Sequence, residues 1–276
     1  MRFTVLGSGS TGNAVLISTE RTNVLVDAGL SAKEILRRLA IVGVDAEDID
    51  GVLITHEHSD HAGGLRVLMR SIDCPVFLSR ITEDAFYATT AGGQNGESES
   101  SKRQAALRDK TVEIESDREF CIGDIQFTPF QVPHDAVDNF GFVAQKNGVK
   151  VATLMDFGHI NDGIKTALEG CAAIIIESNH SRDMLRACSL YTWDLKQRIL
   201  SQVGHLSNED LSDWLQEDFD GCAGHLVLAH VSQRANDPHL ARLMAETALK
   251  MRPPLFRTDT KVTVSSHRQP TEWISF

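Results

Sequence analysis

The sequence has 276 residues, 42% of them hydrophobic, which is enough for a substantial buried core in one large or two small domains. The formal net charge of −11 argues against a protein that binds nucleic acid through one broad basic surface. No apolar run reaches the ~18 residues of a membrane span, and the N-terminus lacks a secretory signal, so we expect a cytoplasmic protein without a membrane anchor.

Apolar runs and turn residues predict strands and helices in both halves of the chain. In the first half, the predicted strands are Phe3–Leu6, Ala14–Ser18, Asn23–Asp27, Gly51–Thr55 and Pro75–Leu78, and the predicted helices are Ser31–Val42, Gly63–Ile72 and Ile81–Thr90. In the second half, the predicted strands are Glu119–Ile122, Ile125–Phe130, Phe140–Gln145, Val149–Met155, Ala172–Ile176 and His225–Ala229. The predicted helices there are Ile164–Leu168, Asp183–Cys188, Trp193–Gln202, Asn208–Gln216 and Ala241–Lys250.

The order of these elements bears on domain organisation. Ala91–Arg103 is rich in Gly, Ser, Gln and Glu and is predicted to be a flexible loop. No repeat or long linker divides the chain, so we expect a single domain over residues 1–276. Strands and helices alternate in both halves, which predicts an α/β layered sandwich whose sheets are covered by helices.

The glycine-rich segment Gly7–Gly12 matches the G-x-G-x-x-G pattern of dinucleotide-binding proteins. That pattern requires a following helix whose N-terminus meets the pyrophosphate. Here the next residues, Ala14–Ser18, predict a strand. We therefore interpret the glycines as a tight turn between two strands.

An H-x-H-x-D-H motif follows the predicted strand Gly51–Thr55. Its members are His56, His58, Asp60 and His61. Imidazole and carboxylate groups are the ligands that borderline divalent metals prefer, and several such groups bury poorly when unpaired. The motif therefore indicates a metal centre rather than a solvated polar loop.

Three further metal-ligand candidates each follow an apolar strand. They are His134, Asp156 and His230. Ends of neighbouring strands lie at one edge of a sheet, so these side chains are expected to converge on the motif. Together with the motif they supply enough donors for two metal ions.

The motif and its downstream His, Asp and His resemble the active-site signature of the metallo-β-lactamase-fold hydrolases, and the resemblance runs from Leu6 to about His239. Within that superfamily the chain is similar to the YycJ/WalJ-like group, whose active-site plan resembles that of ribonuclease Z. The segments that carry this resemblance are Gly7–Asn13, Val26–Gly29, Ile54–Leu65, Val132–Phe142, Glu177–Ser181, Leu195–Leu200, Gly204–Asp210 and Ala229–Pro238. The resemblance implies a four-layer αββα sandwich.

The resemblance also implies how two divalent ions share the donors, with zinc preferred and manganese as the alternative. One ion would take His56, His58 and His134, and the other Asp60, His61 and His230. Asp156 would bridge the two ions. Asp27 would be a buried residue that supports the ligand loop.

Residues for the chemical step follow from the same resemblance. His205 resembles the ribonuclease Z histidine that protonates the leaving oxygen, and Asp60 and Asp156 would orient the nucleophile. Candidate substrate-binding residues are His180, Ser232 and Arg234. A hydroxyl and a guanidinium beside a metal ligand suit a phosphate oxygen.

The segment Ser181–Gln202 carries four cations with Tyr191 and Trp193 between them. Aromatic side chains beside cations stack on bases in proteins that bind single strands. The pattern is more typical of a helix with a solvated face and a buried tryptophan, and that is the interpretation we adopt.

The family implies a 5′-to-3′ exonuclease on double-stranded DNA, in which hydroxide generated between two ions attacks phosphorus in line. The expected partner is nucleic acid, and the oligomeric state stays open. The alternatives are a hydrolase of the same fold acting on a cyclic phosphate, thioester or lactone, and a non-catalytic metal-binding regulator.

Overall fold

A computed structural model describes residues 1–88 and 107–276, and the predicted loop Ala91–Arg103 lies outside the described residues. The strands are short and mostly buried. In chain order they are β1 (Arg2–Gly7), β2 (Ala14–Ser18), β3 (Asn23–Val26), β4 (Gly51–Leu53), β5 (Val76–Leu78), β6 (Thr111–Glu113), β7 (Phe120–Ile122), β8 (Ile125–Gln131), β9 (Phe140–Lys146), β10 (Val149–Leu154), β11 (Ala173–Glu177), β12 (His225–Ala229), β13 (Lys261–Val264) and β14 (Ile274–Ser275).

The helices of the described residues connect these strands. They are α1 (Ala32–Ile41), α2 (Ser59–Ala62), α3 (Leu65–Leu68), α4 (Arg80–Ala88), α5 (Asp162–Leu168), α6 (Arg182–Ala187), α7 (Trp193–Ile199), α8 (Asn208–Glu217) and α9 (Pro238–Met251), with 3₁₀ turns at Ala46–Asp48 and Pro254–Phe256. None of the described helices is long and apolar enough to cross a membrane.

The strands form two mixed sheets. Among the described residues, the first sheet has the order β14-β1-β2-β3-β4-β5-β6 and the second β13-β12-β11-β10-β9-β8-β7. In the first sheet β3, β4, β5 and β6 run parallel. In the second, β10, β11, β12 and β13 run parallel. The carboxyl ends of each parallel set therefore lie at one edge of its sheet.

Alternation along the strands divides the core into layers. In β2, Val15 and Ile17 pack between the two sheets, whereas Leu16 packs towards the helices that cover the first sheet. In β11, Ile175 packs between the sheets and Ile174 towards α8 and α9. Both faces of these strands are buried, which explains their continuous apolar sequences. The result is the predicted four-layer order of helix, sheet, sheet and helix.

Two details differ from the sequence-based expectation. The predicted helix Gly63–Ile72 is instead the single turn α3, and a further turn, α2, precedes it, separated from α3 by Gly63 and Gly64. The strands β6, β13 and β14 were not predicted. They are short edge or near-edge strands with few buried residues, and so carry little periodic signal.

Three loops that meet at the carboxyl edge of the first sheet pack backbone against backbone. Asp60 O accepts a hydrogen bond from Asn13 N at 2.8 Å, and His61 O accepts one from Ala28 N at 2.7 Å. A Cβ at Gly29 would lie 1.6 Å from Asp60 O, so only glycine fits there. In the glycine-rich loop, a Cβ at Gly12 would lie 2.8 Å from Gly29 O, so this glycine also allows close packing, in agreement with the tight-turn interpretation.

Gly29→Ala is expected to destabilise the protein, because the added methyl group would overlap the Asp60 carbonyl. Overpacking of this kind costs about 1–3 kcal/mol. Urea unfolding followed by circular dichroism measures the loss. Gly224→Ala is the matched control, since its added Cβ would meet only Ala172 O, at 4.0 Å. Equal free energies of unfolding for the two variants would contradict this packing.

Candidate metal centre and active site

The H-x-H-x-D-H motif forms an extended stretch followed by one helical turn. His58 precedes α2 with extended backbone angles, φ −58° and ψ 147°. Asp60 and His61 lie within the turn of α2. The change from extended chain to helix therefore directs the two halves of the motif to two neighbouring positions.

The predicted ligands from distant segments converge on the motif. Their ligand atoms form two groups, and within each group all atoms lie within 4.8 Å of one another. The first group is His56, His58, His134 and Asp156, and the second is Asp60, His61, Asp156 and His230. Asp156 belongs to both groups. The resemblance assigns these same donors to two ions, and that assignment stays a prediction.

Three polar residues at this site have strained backbone conformations. Asp27, Asp156 and His230 each follow a strand and adopt left-handed backbone angles, with φ of 64°, 56° and 51°. L-residues rarely occupy this region unless the surrounding structure holds them there. In all three residues the turn at the strand end directs a polar side chain into the site.

The carboxylate of Asp156 is fully enclosed by histidines. Its oxygens lie 2.6 Å from His230 Nδ1, 3.0 Å from His61 Nε2 and 3.5 Å from His56 Nε2. Burial alone would raise the pKa of Asp156, but the charges on His230 and His61 outweigh burial and hold it well below its usual range. Against the effect of burial, Asp27 and Asp156 together raise the pKa of His61, and Asp156 raises the pKa of His230.

Among the metal-ligand candidates, two buried imidazole nitrogens have no hydrogen-bond partner in the described part of the chain, namely Nε2 of His56 and Nε2 of His230. Each faces a carboxylate oxygen at 3.5 Å, His56 that of Asp156 and His230 that of Asp60. Burial, with His61 nearby, lowers the pKa of His56 to about 4 and so favours its neutral form. Buried donor atoms without partners call for an explanation, and imidazole lone pairs that face carboxylates suit divalent cations. The donor set is therefore suitable for metal binding.

A second layer of contacts fixes the orientation of His61. Asp27 Oδ2 lies 2.7 Å from His61 Nδ1, while Asp27 Oδ1 accepts a hydrogen bond from Thr55 N at 2.9 Å. A carboxylate only accepts, so His61 carries a proton on Nδ1, and its Nε2, which faces Asp156, is the atom that a neutral His61 would offer to a metal ion. This is the supporting position expected for Asp27.

Glu177 was not recognised as a site residue from the sequence. It is fully buried at the end of β11, and its Oε1 lies 2.9 Å from His205 Nδ1 and 2.6 Å from His230 Nδ1. The hydrogen bond to His205 leaves Nε2 of that ring unengaged by Glu177. Burial favours a lower pKa for His205, but the charge and hydrogen bond of Glu177 offset burial and raise it. The sequence feature that could have identified Glu177 is its position as a carboxylate at the end of an apolar strand.

A cavity of about 300 Å³ opens over the two donor groups. Its walls combine metal-ligand candidates with residues of the α6–α7 hairpin, which we define as residues 182–199. The lining residues are Ser10, His58, Asp60, His134, Asp135, Asp156, Asn179, Tyr191, Leu195, Arg198, Ile199, Gly204, His205, His230 and Ser232. Arg198 pairs with Asp135 across the cavity at 3.0 Å.

The predicted substrate-binding residues are placed differently from one another. Ser232 lines the cavity, and its hydroxyl lies 3.5 Å from that of Tyr191. His180 is 1% exposed and Arg234 is exposed, and both lie outside the cavity lining. Trp193 is 72% exposed, so the expectation of a buried tryptophan in this hairpin is wrong.

The sequence pattern that defines the β-lactamase superfamily domain matches residues 22–231, the part of the chain that contains every ligand candidate. The chain belongs to the metallo-β-lactamase superfamily. The chain is 34% identical over 258 residues to exodeoxyribonuclease YycJ of Bacillus anthracis, and the alignment covers 91% of this chain and 89% of that protein. It is 35% identical over 242 residues to exodeoxyribonuclease WalJ of Streptococcus pneumoniae, covering 88% and 86%.

A solved structure supports the fold of this metallo-β-lactamase superfamily member. The metallo-β-lactamase fold protein YhfI from Bacillus subtilis aligns with a TM-score of 0.69, covering 98% of this chain and 99% of that one at 18% identity. The predicted superfamily, its four-layer sandwich and the similarity to YycJ and WalJ are confirmed.

Asp27→Asn is expected to lower zinc affinity by roughly 10–100-fold, as for other residues that orient a metal ligand. The amide oxygen would still accept from Thr55 N, which turns the amide donor towards His61 Nδ1. His61 would then carry its proton on Nε2, the atom that faces Asp156. Competition with a chromophoric chelator measures the affinity.

The control for this variant is Asp84→Asn, which changes an exposed carboxylate on α4. We expect its zinc affinity to equal that of the unmodified protein. If Asp27→Asn also bound zinc normally, the orienting role of Asp27 would be wrong.

Proposed function

We propose that this protein is a metal-dependent phosphodiesterase, specifically a 5′-to-3′ exonuclease on double-stranded DNA. The observation that carries the proposal is a pair of donor groups sharing Asp156 beneath an open cavity. The exodeoxyribonuclease names of YycJ and WalJ support nucleic acid as the substrate. The 5′ polarity and the duplex preference rest on the resemblance to that group.

Two divalent cations would occupy the donor groups. His56, His58 and His134 would hold one ion and Asp60, His61 and His230 the other, with Asp156 contacting both. Imidazole and carboxylate donors suit zinc, with manganese as the alternative. When bound, such a pair of ions lowers the pKa of water and neutralises charge on phosphoryl oxygens.

Asp60 would orient the attacking water. Its carboxylate lines the cavity, 3.5 Å from His230 Nε2. Burial would raise the pKa of Asp60, but His230 and His61 outweigh burial and lower it to about 2. An ionised carboxylate accepts a hydrogen bond from water and directs the oxygen lone pair towards phosphorus. Asp156 would orient the same nucleophile.

His205 would protonate the leaving oxygen. Its Nδ1 donates to Glu177 Oε1, which fixes the plane of the ring, and its side chain is 19% exposed at the cavity. Nε2 is therefore the atom available for the departing oxygen. Glu177 acts as a positioning residue, because it touches His205 and His230 rather than the cavity.

Charge favours attack at a chain end. Bound cations would make the cavity locally positive, which attracts a phosphodiester. The rest of the chain contributes to a net charge of −11 and would repel nucleic acid that lay along the surface. A site that attracts phosphate within a surface that repels it suits an exonuclease better than a nuclease that cuts within long duplexes.

Nuclease activity is tested with metal-reconstituted protein and four substrates: 5′-phosphorylated duplex DNA, single-stranded DNA, RNA and a chromogenic β-lactam. We expect mononucleotides from the duplex. Asp60→Asn should remove nearly all activity, and His205→Gln should reduce kcat by roughly 10²–10⁴-fold, the usual contribution of a general acid.

Asp84→Asn and His239→Gln are the matched controls, since both change exposed residues outside the cavity lining. Both should keep full activity. If all nucleic acids stay intact while a cyclic phosphate, thioester or lactone is hydrolysed, the small-molecule alternative replaces the nuclease. If the metals bind and no substrate of any class reacts, the regulator alternative stands.

Metal content tests the two-ion arrangement separately. We expect two zinc ions per chain after gel filtration, and about one in His58→Ala, which removes a donor from the first group only. Each site at 100 times its Kd should raise the free energy of unfolding by about 2.7 kcal/mol. Chelation should therefore lower Tm. A single ion in the unmodified protein, or loss of both in His58→Ala, would contradict independent positions.

A further inference from the structure

The glycine-rich loop, residues 8–13 between β1 and β2, carries two buried polar side chains that the proposed reaction does not use. Ser8 is 3% exposed and Asn13 is fully buried. Burying a hydroxyl or an amide costs free energy unless hydrogen bonds replace those to water. The partners of these side chains therefore indicate why the loop contains them, and both side chains have partners in the second donor group.

Asn13 holds the turn that carries Asp60 and His61. Its main-chain N donates a hydrogen bond to Asp60 O at 2.8 Å, and its side-chain Nδ2 donates to the same oxygen at 3.2 Å. Nδ2 also lies 2.9 Å from His61 Nε2. Asp60 O belongs to the backbone and is not a metal-ligand atom, so both bonds to it can persist when an ion is bound. Asn13 therefore holds the turn without occupying the Asp60 carboxylate.

The orientation of the Asn13 amide is determined by its neighbours. Its Oδ1 accepts hydrogen bonds from Gly9 N at 2.9 Å and from Ser8 Oγ at 2.8 Å. A backbone N–H can only donate and a backbone carbonyl can only accept. The oxygen of the amide must therefore face Gly9, and its nitrogen must face Asp60. Both ends of this side chain thus have partners that fix one orientation.

Ser8 holds His230 through the backbone. His230 N donates to Ser8 Oγ at 2.7 Å, so the hydroxyl keeps its own proton for Asn13 Oδ1. Met155 Sδ, 3.6 Å away, is a weaker acceptor for that proton. On the other side, Asn179 Nδ2 donates to His230 O at 2.9 Å. A left-handed backbone such as that of His230, with φ 51°, persists only when its surroundings hold it, and these two bonds do so.

The side chains of Ser8 and Asn13 form one continuous chain of three hydrogen bonds. It begins at His230 N, passes through the Ser8 hydroxyl and the Asn13 amide, and ends at Asp60 O. The chain therefore connects the ligand segment that follows β4 with the one that follows β12, in the other sheet. Within residues 1–88 and 107–276, no hydrogen bond of Ser8 or Asn13 reaches the three histidines of the first donor group. These contacts thus act on the second donor group.

We propose that Ser8 and Asn13 are positioning residues for the second metal ion. By joining His230 to the turn that carries Asp60 and His61, they fix the spacing between donors that come from different sheets. A divalent cation binds tightly only when its donors lie at the distances and angles that it requires. The spacing therefore determines the affinity at the second position. This inference rests on the proposed function, in which two ions occupy the donor groups, and adds which loop arranges one of these groups.

Zinc affinity tests the inference without requiring turnover. In the His58→Ala background only the second donor group keeps all its donors, so competition with a chromophoric chelator measures the affinity there. Adding Ser8→Ala or Asn13→Ala should weaken zinc binding about 10–100-fold, the usual effect of removing a residue that supports a metal ligand. Ser8→Thr keeps the hydroxyl and should restore most of the affinity. With His58 present, Ser8→Ala or Asn13→Ala should lower the zinc content after gel filtration from two ions to about one.

The first donor group and a second buried serine separate positioning from general stability. In the Asp60→Ala background the remaining ion occupies the first group, and adding Ser8→Ala should leave its affinity unchanged. Ser265→Ala is the matched control in the His58→Ala background, because its buried hydroxyl donates to Leu228 O at 3.0 Å, within β12 rather than at a ligand residue. This control should lower Tm without changing zinc affinity.

Combining Ser8→Ala with Asn13→Ala tests whether the two residues act as one chain. Either substitution alone interrupts the chain of hydrogen bonds. The double substitution, again in the His58→Ala background, should therefore weaken zinc binding by less than the product of the two separate effects. Residues that acted independently would give the full product, and that result would contradict a connected chain.

The outcomes distinguish this inference from the proposed function. If Ser8→Ala and Asn13→Ala leave the affinity of the second position unchanged, or weaken zinc binding equally at both positions, the positioning role is wrong even if the nuclease assay succeeds. If that affinity depends on both residues but the zinc-loaded protein cleaves no nucleic acid, the positioning role stands and the nuclease function is wrong.

Discussion

Burying a carboxylate costs several kcal/mol unless opposite charge lies close to it, and Asp156 is buried where the two donor groups meet. Its backbone has φ 56°, and its oxygens contact histidines from both sheets. These histidines keep it ionised in the protein alone. Two cations would supply the same compensation more strongly, and the proton-bearing histidines would become neutral ligands. The motif loop, the glycine contacts and the Asp27 network all hold histidines around this one carboxylate.

The local part of the site was predictable because its ligands have a fixed spacing. His56 to His61 lie at a strand-to-helix junction, where the change of backbone geometry alone directs them to two positions. His134, Asp156 and His230 were predictable because each follows an apolar strand. The sandwich was predictable from continuous apolar strands, which require cover on both faces.

Other features depend on pairings between distant segments, which a sequence pattern does not contain. Glu177 becomes a site residue only because β11 lies between β10 and β12, which places its carboxylate between His205 and His230. The contact of Asp135 with Arg198 joins residues 63 positions apart. Trp193 was predicted to be buried because a tryptophan in a helix with one solvated face is expected on the packed face. The sequence pattern does not show that Trp193 begins α7 on the other side.

The donors of this site come from both sheets. His56 to His61 follow β4 of the first sheet, whereas His134, Asp156 and His230 follow strands of the second. Burial of apolar side chains holds the two sheets together over their facing surfaces. Metal ions bound between these segments would also link the sheets at one edge. The supply of metal would then determine the stability of the fold as well as the rate of hydrolysis. A chain without ions would open first at this rim, where proteases find extended backbone.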